Sequence, residues 1–198
     1  AVRAGSCGHP YVNVRAEVRR LALVVVTADR GLCGGLNTTV CRRALAAMRE
    51  HEGRQVELVV VGKRGADFFR RRDRTPDAEH VDVCRDLRFA SARAIAQGLV
   101  HRFRAGALDR VELLAPEFRS IGQQVPVLAQ LLPVDLTAED PQDSADYLWE
   151  PGPRQLLETL VPRQVSSRLW RALLELSVGE QAARMLAMES ASKNAADL

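Results

Sequence analysis

A glycine-rich segment directly after a buried-strand pattern is the part of the sequence best suited to binding chemistry. It begins at Thr27 and reads TADRGLCGGLN, so glycines stand at positions 31, 34 and 35. Glycines between a strand and a helix let the backbone approach a phosphate, and the helix N-terminus adds partial positive charge. The spacing is not G-x-G-x-x-G, however, and no acidic residue ends a second strand to hold a ribose. Two interpretations stay open: a phosphate cradle, or a turn that needs positive φ for close approach to another surface.

The other residue types that could do chemistry are scattered along the chain. No pair of cysteines has the C-x-x-C spacing of a zinc site. Sequence motifs for a serine nucleophile, a zinc peptidase or a P-loop are absent. We therefore predict no catalytic residue, no metal site, no cofactor, and free thiols in a reducing compartment. The cysteines are Cys7, Cys33, Cys41 and Cys84, and the histidines are His9, His51, His80 and His101.

Length and composition favour one or at most two ordinary globular domains. The chain has 198 residues, of which 46% are hydrophobic and 27% charged, and this suffices to bury a core without disulfide or metal support. The sequence contains no run of about 18 apolar residues, so we expect no segment that spans a bilayer. Any connection with a membrane would then pass through a partner.

The formal net charge of +3 hides a strong bias toward arginine, because Lys63 and Lys193 are the only lysines. The one dense basic stretch, at residues 63–74, is interrupted by Asp67 and Asp73. On a helix this stretch would be a solvated face with two buried phenylalanines. No nucleic-acid-binding motif surrounds it, so we predict no nucleic-acid partner.

Hydrophobic periodicity predicts alternating strands and helices. The first strand is a continuous apolar, β-branched run, LALVVVT, which suits a strand buried on both faces of a parallel sheet. Pro126 cannot donate to a strand ladder, so the last strand belongs at a sheet edge. The predicted fold class is α/β, with a mostly parallel Rossmann-like sheet and flanking helices. The predicted strands cover residues 21–27, 56–61, 111–115 and 125–132. One predicted helix has its apolar face at residues 40–48 and ends before Gly53, and the other covers residues 86–104.

A long helical pattern follows an acidic, turn-prone segment at residues 136–152. Pro162 lies inside this pattern and predicts a kink or break near residues 158–162. Beyond Ser177 the apolar stripe consists of small and flexible residues, which suits packing against another long helix. The periodicity reaches Leu198 without a stop signal, which predicts a piece of a longer protein. The stripe comprises Val178, Ala182, Met185, Met188, Ser192 and Ala195.

Three segments together resemble one protein family. TADRGLCGGLN closely resembles the signature loop of the gamma subunit of the F-type ATP synthases. The DYLWEP segment at residues 146–151 and the stretch EQAARMLAMESASKNAADL at residues 180–198 are similar to two further segments of that family, in the same order. The resemblance covers nearly the whole chain from about Leu21 onward. It implies a rotor shaft whose α/β foot stands on the membrane-embedded c-ring, with terminal helices that form an antiparallel coiled coil inside the alpha and beta subunits.

The resemblance also implies how the chain is divided and what it does. Residues 1–20 are a remnant N-terminal segment, residues 21–135 the α/β foot, residues 136–152 an acidic linker, and residues 153–198 a C-terminal helical segment. Rotation of the shaft changes the nucleotide sites of the beta subunits in turn, while the gamma subunit itself binds no nucleotide. The expected location is the cytoplasmic face of the bacterial inner membrane, which is reached only through partner subunits.

The resemblance assigns subunit contacts to specific positions. Arg30 is placed to meet acidic groups on a beta subunit, and the epsilon subunit docks near the helix that begins at about Asn37. Tyr147 and Glu150 match positions that face the polar loops of the c-ring, and Arg184 lies in the coupling region at the base of the shaft. The full set of implied contact residues is Asp29, Arg30, Gly31, Cys33, Gly34, Gly35, Asn37, Tyr147, Glu150, Arg184, Met185 and Met188.

The sequence also departs from the family. Relatives carry a long helical segment before the first strand and continue beyond Leu198, so both strands of the coiled coil are expected to be absent or cut. Two alternatives therefore stay open beside the rotor subunit. One is a free-standing nucleotide-binding α/β domain that uses Gly31, Gly34 and Gly35 as a phosphate cradle. The other is a truncated paralogue that binds partners but does not rotate.

Overall fold

Strands and helices alternate along the chain in the computed structural model, which describes residues 9–13, 15, 17–135, 150 and 152–197. The strands are β1 (Arg20–Val26), β2 (Gln55–Val61), β3 (Ala78–His80), β4 (Arg110–Ser120) and β5 (Gln123–Leu132). The helices are α1 (Leu36–Glu50), α2 (Lys63–Arg70), α3 (Phe89–Arg104) and α4 (Pro153–Ala196). The predicted α/β class is confirmed.

The five strands form one sheet in the order β3-β2-β1-β4-β5. β1 lies parallel to both β2 and β4, β3 is parallel to β2, and only β5 is antiparallel to its neighbour β4. Residues 21–26 of β1 are all buried, as the continuous apolar run predicts for a central strand. The edge position of β5 is confirmed as well. Pro126 stands opposite Pro116, so two residues without an amide hydrogen face each other in this ladder.

The helices cover both faces of the sheet, because alternate residues of β1 point to opposite sides. Leu21, Leu23 and Val25 pack in one core with α1 and α2. Ala22, Val24 and Val26 pack in the other core with α3 and α4. Any surface near the end of β1 therefore has an α1/α2 side and an α4 side.

α4 continues through Pro162 as one helix, so the predicted break is wrong, and the alternative of a kink stays a prediction. The proline removes one backbone hydrogen bond, but the residues around it are held by packing. Val161 and Val165 are 3% and 1% exposed and belong to the same core as α3 and the sheet. Among the described residues no helix is long and apolar enough to cross a bilayer, although α4 has 44 residues.

Two short elements escaped the sequence analysis. α2 covers part of the basic stretch, with Phe69 buried and Phe68 half-buried, so the expected pair of buried phenylalanines is only partly confirmed. β3 has three residues and no apolar alternation. Its position is fixed instead by pairing with β2, which periodicity cannot reveal.

A buried carboxylate joins the segment before β1 to the start of β4. Asp109 is 4% exposed and accepts hydrogen bonds from the backbone amides of Arg19 (3.1 Å) and Arg20 (2.8 Å). The guanidinium groups of Arg15 and Arg20 also bond to it. Burial opposes ionisation, but these donors outweigh it and lower the pKa of Asp109 to about 2.

This lowered pKa predicts acid-sensitive stability. A carboxyl group whose pKa is lower in the folded than in the unfolded chain contributes stability above its unfolded pKa, near 4, and loses it as pH falls toward its folded pKa, near 2. Asp109→Asn should therefore reduce the free energy of unfolding by about 2 kcal/mol at neutral pH. The difference from the parent chain should shrink between about pH 4 and pH 2. Urea unfolding across this range measures it, with Glu17→Gln, which removes an exposed partner of Arg19, as the control. An equal loss at all pH values would contradict the assignment.

Candidate functional site: the glycine loop and its two faces

Side chains at both ends fix the shape of the glycine loop, which we define as Thr27 to Asn37. The Thr27 hydroxyl donates to the carbonyl oxygen of Val61 (3.0 Å) and accepts from the amide of Gly65 (2.9 Å). At the other end, the Asn37 side-chain oxygen accepts from the amide of Ala28 (2.8 Å). The loop is thereby tied to β2, to α2 and to the first turn of α1, so its backbone is held by the chain itself.

The carboxylate of Asp29 connects the loop to two other segments. One oxygen accepts hydrogen bonds from the amides of Lys63 (2.8 Å) and Asp82 (3.0 Å), and the other accepts from the amide of Cys84 (2.9 Å). Lys63 is the first residue of α2, and Asp82 and Cys84 follow β3. The positive end of α2 is therefore occupied by an internal anion. In the sequence Asp29 is predicted only as a contact residue, and no local pattern indicates this internal role.

Close backbone approach explains a glycine outside the loop. Gly62 has φ of 97°, and a Cβ there would overlap the carbonyl oxygen of Thr27. β2 can therefore pass to α2 beside β1 only because position 62 lacks a side chain. Within the loop, Gly34 has φ of 55° and open space around it, so its requirement is conformational. This agrees with the interpretation of a turn that needs positive φ, but only at Gly34, because Gly35 has φ of −85°.

The loop residues face two different surfaces. Gly31, Cys33, Gly34 and Asn37 line a groove of about 380 Å³ between α1 and α2. Asp29 and Arg30 line a cleft of about 240 Å³ on the opposite side, against α4. The structure thus separates residues that the sequence analysis placed in one contact set. Gly35 precedes the first residue of α1 and is exposed.

Three arginines give the α1/α2 side its charge, and we call this surface the arginine groove. Arg64, Arg71 and Arg72 line it together with Phe68 and the glycine loop. The Arg72 guanidinium lies 3.8 Å from the centre of the Phe68 ring. Among the described residues none of the three arginines forms an ion pair with an acidic side chain. The basic stretch is evident in the sequence, but its contact with the glycine loop is not.

The cleft on the α4 side has mixed charge. Arg30 and Arg85 line it together with Asp29 and Glu180. Glu180 is 6% exposed and pairs with Arg184 one turn further along α4. The mixture favours polar contacts with a partner surface over a site for a free anion.

Among the remaining predicted contact residues, Arg184 lies next to the mixed-charge cleft, where it pairs with Glu180, and the others lie on the far part of α4, just before α4 or outside the described residues. Met185 and Met188 are 53% and 45% exposed on the far part of α4, and the Arg184 side chain is 23% exposed beside them. Glu150 is exposed just before α4. Tyr147 lies outside the described residues.

The cysteines near the loop are unsuited to nucleophilic chemistry. Cys33, Cys41 and Cys84 are free thiols. Burial raises the pKa of Cys41 and of Cys84 to about 12, and the Asp29 carboxylate adds to the effect at Cys84. Burial also raises the pKa of Cys33. These thiols stay protonated near neutral pH. The described residues contain no group of three or more His, Cys, Asp or Glu side chains arranged to hold a metal ion.

Comparison with known proteins identifies the family to which this chain is similar. The model of the ATP synthase family matches residues 2–198. The chain is 38% identical over 199 residues to the ATP synthase gamma chain of Pelotomaculum thermopropionicum, covering all of this chain and 69% of that protein. The gamma chain of Desulforamulus reducens is 39% identical with the same coverage. The chain belongs to the ATP synthase gamma family. The resemblance carried by the glycine loop is thereby confirmed.

Structural comparison leads to the same family. A chain in the central stalk and c-ring structure of the Tetrahymena thermophila mitochondrial ATP synthase superposes with a TM-score of 0.71 and 26% identity. The match covers 90% of this gamma-family chain and 79% of that one. The glycine loop, the sheet and α4 therefore belong to a central-stalk architecture.

Replacing Asp29 by Asn tests the internal role of its carboxylate in this gamma-family chain. The amide would keep one acceptor but turn a donor toward the Cys84 amide, which would lose its partner. We expect a loss of about 2 kcal/mol in the free energy of unfolding. Hydrogen exchange should accelerate at Lys63, Asp82 and Cys84. Asp73→Asn is the matched control, because Asp73 is exposed and its positive φ suits Asn. Equal effects of the two substitutions would refute the role of Asp29.

Proposed function

We propose that this chain is a non-catalytic central-stalk subunit of an F-type ATP synthase, which couples c-ring rotation to ATP synthesis or hydrolysis in the alpha and beta subunits. The observation that supports it most directly is the match to gamma chains along the entire chain, at 38–39% identity for the two relatives above. The function of such a subunit is mechanical. It needs a rigid body and surfaces for partners, and no catalytic group of its own.

The packing of α4 supports a division into foot and shaft. Up to Leu176, one side of the helix shares the core of the sheet, with Leu169, Leu173 and Leu176 fully buried. Beyond that point Val178, Met185 and Met188 are about half-exposed. We infer that residues 21–135 form the foot together with the first part of α4, and that the far part of α4 is one strand of a shaft. In this proposal residues 1–20 are the N-terminal segment that precedes the foot, and residues 136–152 are the linker between the sheet and α4.

We propose specific partners for separate parts of the surface. Arg30, at the edge of the mixed-charge cleft, would meet acidic groups of a beta subunit, and the exposed side of α1 would dock the epsilon subunit. Tyr147 and Glu150 would face the c-ring. Arg184 with Met185 and Met188 would act at the base of the shaft. The membrane is then reached only through partner subunits, on the cytoplasmic face of a bacterial inner membrane.

The nucleotide-binding alternative has less support. A phosphate at the carboxyl end of the sheet needs free backbone amides at a helix N-terminus. Here the first amide of α2 and those of Asp82 and Cys84 already donate to Asp29. The amide of Ala28 likewise donates to Asn37. The chain thus uses one amide of the glycine loop and three amides beside it internally.

Assembly with partner subunits tests the proposed function. The chain is expressed together with the alpha, beta and epsilon subunits of its own organism, and a tag on the beta subunit is used for capture. We expect the chain to be recovered in the complex. Arg30→Gln should weaken its association with the alpha and beta subunits up to about fivefold, because a partly exposed ion pair contributes up to about 1 kcal/mol.

Arg93→Gln is the matched control, since Arg93 is an exposed arginine on α3, away from the glycine loop. It should leave the association unchanged. Failure to recover the chain with any of the three subunits would refute the rotor function. Recovery combined with full retention by Arg30→Gln would refute only the contact assigned to Arg30. A truncated paralogue would assemble but would not support ATP-driven rotation of the stalk.

A further inference from the structure

We propose that residues 9–13 form a pH-sensitive strap, which stays docked on the fold while the His9 imidazole is neutral and is released when that ring takes up a second proton. The strap meets the chain just after β5, where the amide of Val134 donates to the carbonyl oxygen of Tyr11 (2.7 Å). Because β5 runs antiparallel to β4 and β4 runs parallel to β1, β5 ends at the edge of the sheet where β1 starts. The strap therefore lies at the end of the sheet opposite to the glycine loop.

Buried aromatic rings hold the strap in place. Tyr11 is 2% exposed and shares the core of α3 and α4, with its ring stacked 6.5 Å from the ring of Phe103. His9 is 4% exposed, and its ring centre lies 4.8 Å from that of Tyr11. The strap is not one of the five paired strands. It can therefore open locally while the sheet remains folded.

A hydrogen bond within the strap requires one ring nitrogen of His9 to be free of a proton. The amide of Tyr11 donates to His9 Nδ1 (3.3 Å). A backbone amide can only donate, so Nδ1 accepts, and the neutral ring carries its proton on Nε2. Protonation of Nδ1 would place two N–H groups against each other, and the amide of Tyr11 would lose its acceptor. The amides of Val12 and Asn13 both donate to the carbonyl oxygen of His9 (3.1 Å each), so this turn keeps the ring beside the Tyr11 amide.

The charged groups that face His9 come from α3 and α4. Burial, the largest effect, disfavours the charged imidazole and lowers the pKa of His9 below its ordinary value of 6.5. Glu158 Oε1 lies 3.9 Å from Nε2 and favours the protonated ring. The positive charges of Arg154 and Arg104 oppose it. Tyr11, the other titratable group of the strap, has a pKa that burial raises, so it stays neutral.

The sign of the pH dependence follows from the lowered pKa of His9. Release exposes the imidazole to water, where its pKa returns to its ordinary value near 6.5. Below about pH 7 the released strap binds more protons than the docked strap, so docking is fully favoured above this pH and weakens as the pH falls. Asp109, with a pKa of about 2, remains ionised in this range and does not contribute.

Hydrogen exchange of the full chain from about pH 8 to about pH 5 tests the strap. The rates are corrected for the intrinsic pH dependence of amide exchange, which gives a protection factor for each amide. We expect the protection of the Tyr11 and Val134 amides to fall about fivefold as the pH is lowered, which is the equilibrium effect of one lost hydrogen bond. Protection in β1 should stay unchanged, because the sheet remains folded.

Two substitutions distinguish protonation of His9 from a general effect of acid. His9→Asn keeps an oxygen near the position of Nδ1 to accept from the Tyr11 amide, but it does not titrate, so protection should no longer depend on pH. Glu158→Gln removes the carboxylate that favours the protonated ring, so the fall in protection should move to lower pH. His101→Asn is the matched control, because His101 is an exposed histidine on α3, and it should behave as the parent chain does.

Equal protection of the Val134 amide at both ends of the pH range in the parent chain would overturn the proposal. The same fall in His9→Asn as in the parent chain would overturn it as well, because a group other than His9 would then be responsible. A parallel loss of protection in β1 would also overturn it, since the whole sheet would then be unfolding. These measurements need no ATP synthase subunit, so the strap and the proposed rotor function can fail independently of each other.

Discussion

The carboxylate of Asp29 is the interaction on which the surfaces around the glycine loop depend. Its two oxygens accept three backbone amides from α2 and from the segment after β3, so one side chain joins three parts of the chain that are distant in sequence. Without it, the positive start of α2 would lack its anion and the loop would lose its anchor to the sheet edge. The arginine groove and the mixed-charge cleft lie on either side of this junction.

Much of the fold could be predicted because its signals are local. The apolar run of β1 predicted a central strand, and Pro126 predicted the edge position of β5. The continuity of α4 could not be predicted from Pro162 alone. The helix continues because Val161 and Val165 are buried against the sheet, and this burial outweighs one lost hydrogen bond. Hydrophobic periodicity does not show how strong such packing is.

The candidate site was predictable in part for the same reason. The glycines at positions 31 and 34 marked the loop, and the basic stretch at residues 63–74 marked a charged helix. Their meeting was not predictable, because Arg64 reaches Gly31 only through the pairing of β1 with β2 and the tight passage at Gly62. The sequence shows the glycine loop and the basic stretch separately, but the groove forms only when the two segments pack together.

Exposed and buried charges differ in how firmly they hold a partner, which matters for a subunit that moves against its partners. A buried ion pair that loses its partner leaves an uncompensated charge, so a surface of that kind resists separation. Exposed pairs each contribute at most about 1 kcal/mol and are screened by salt. Arg30, Arg64 and Arg71 are all exposed. Several exposed contacts together can hold a partner and still exchange readily. The buried junction at Thr27 and Gly62, in contrast, stays intact within the chain. Rigidity and reversible contact thus belong to different residues of the same loop region.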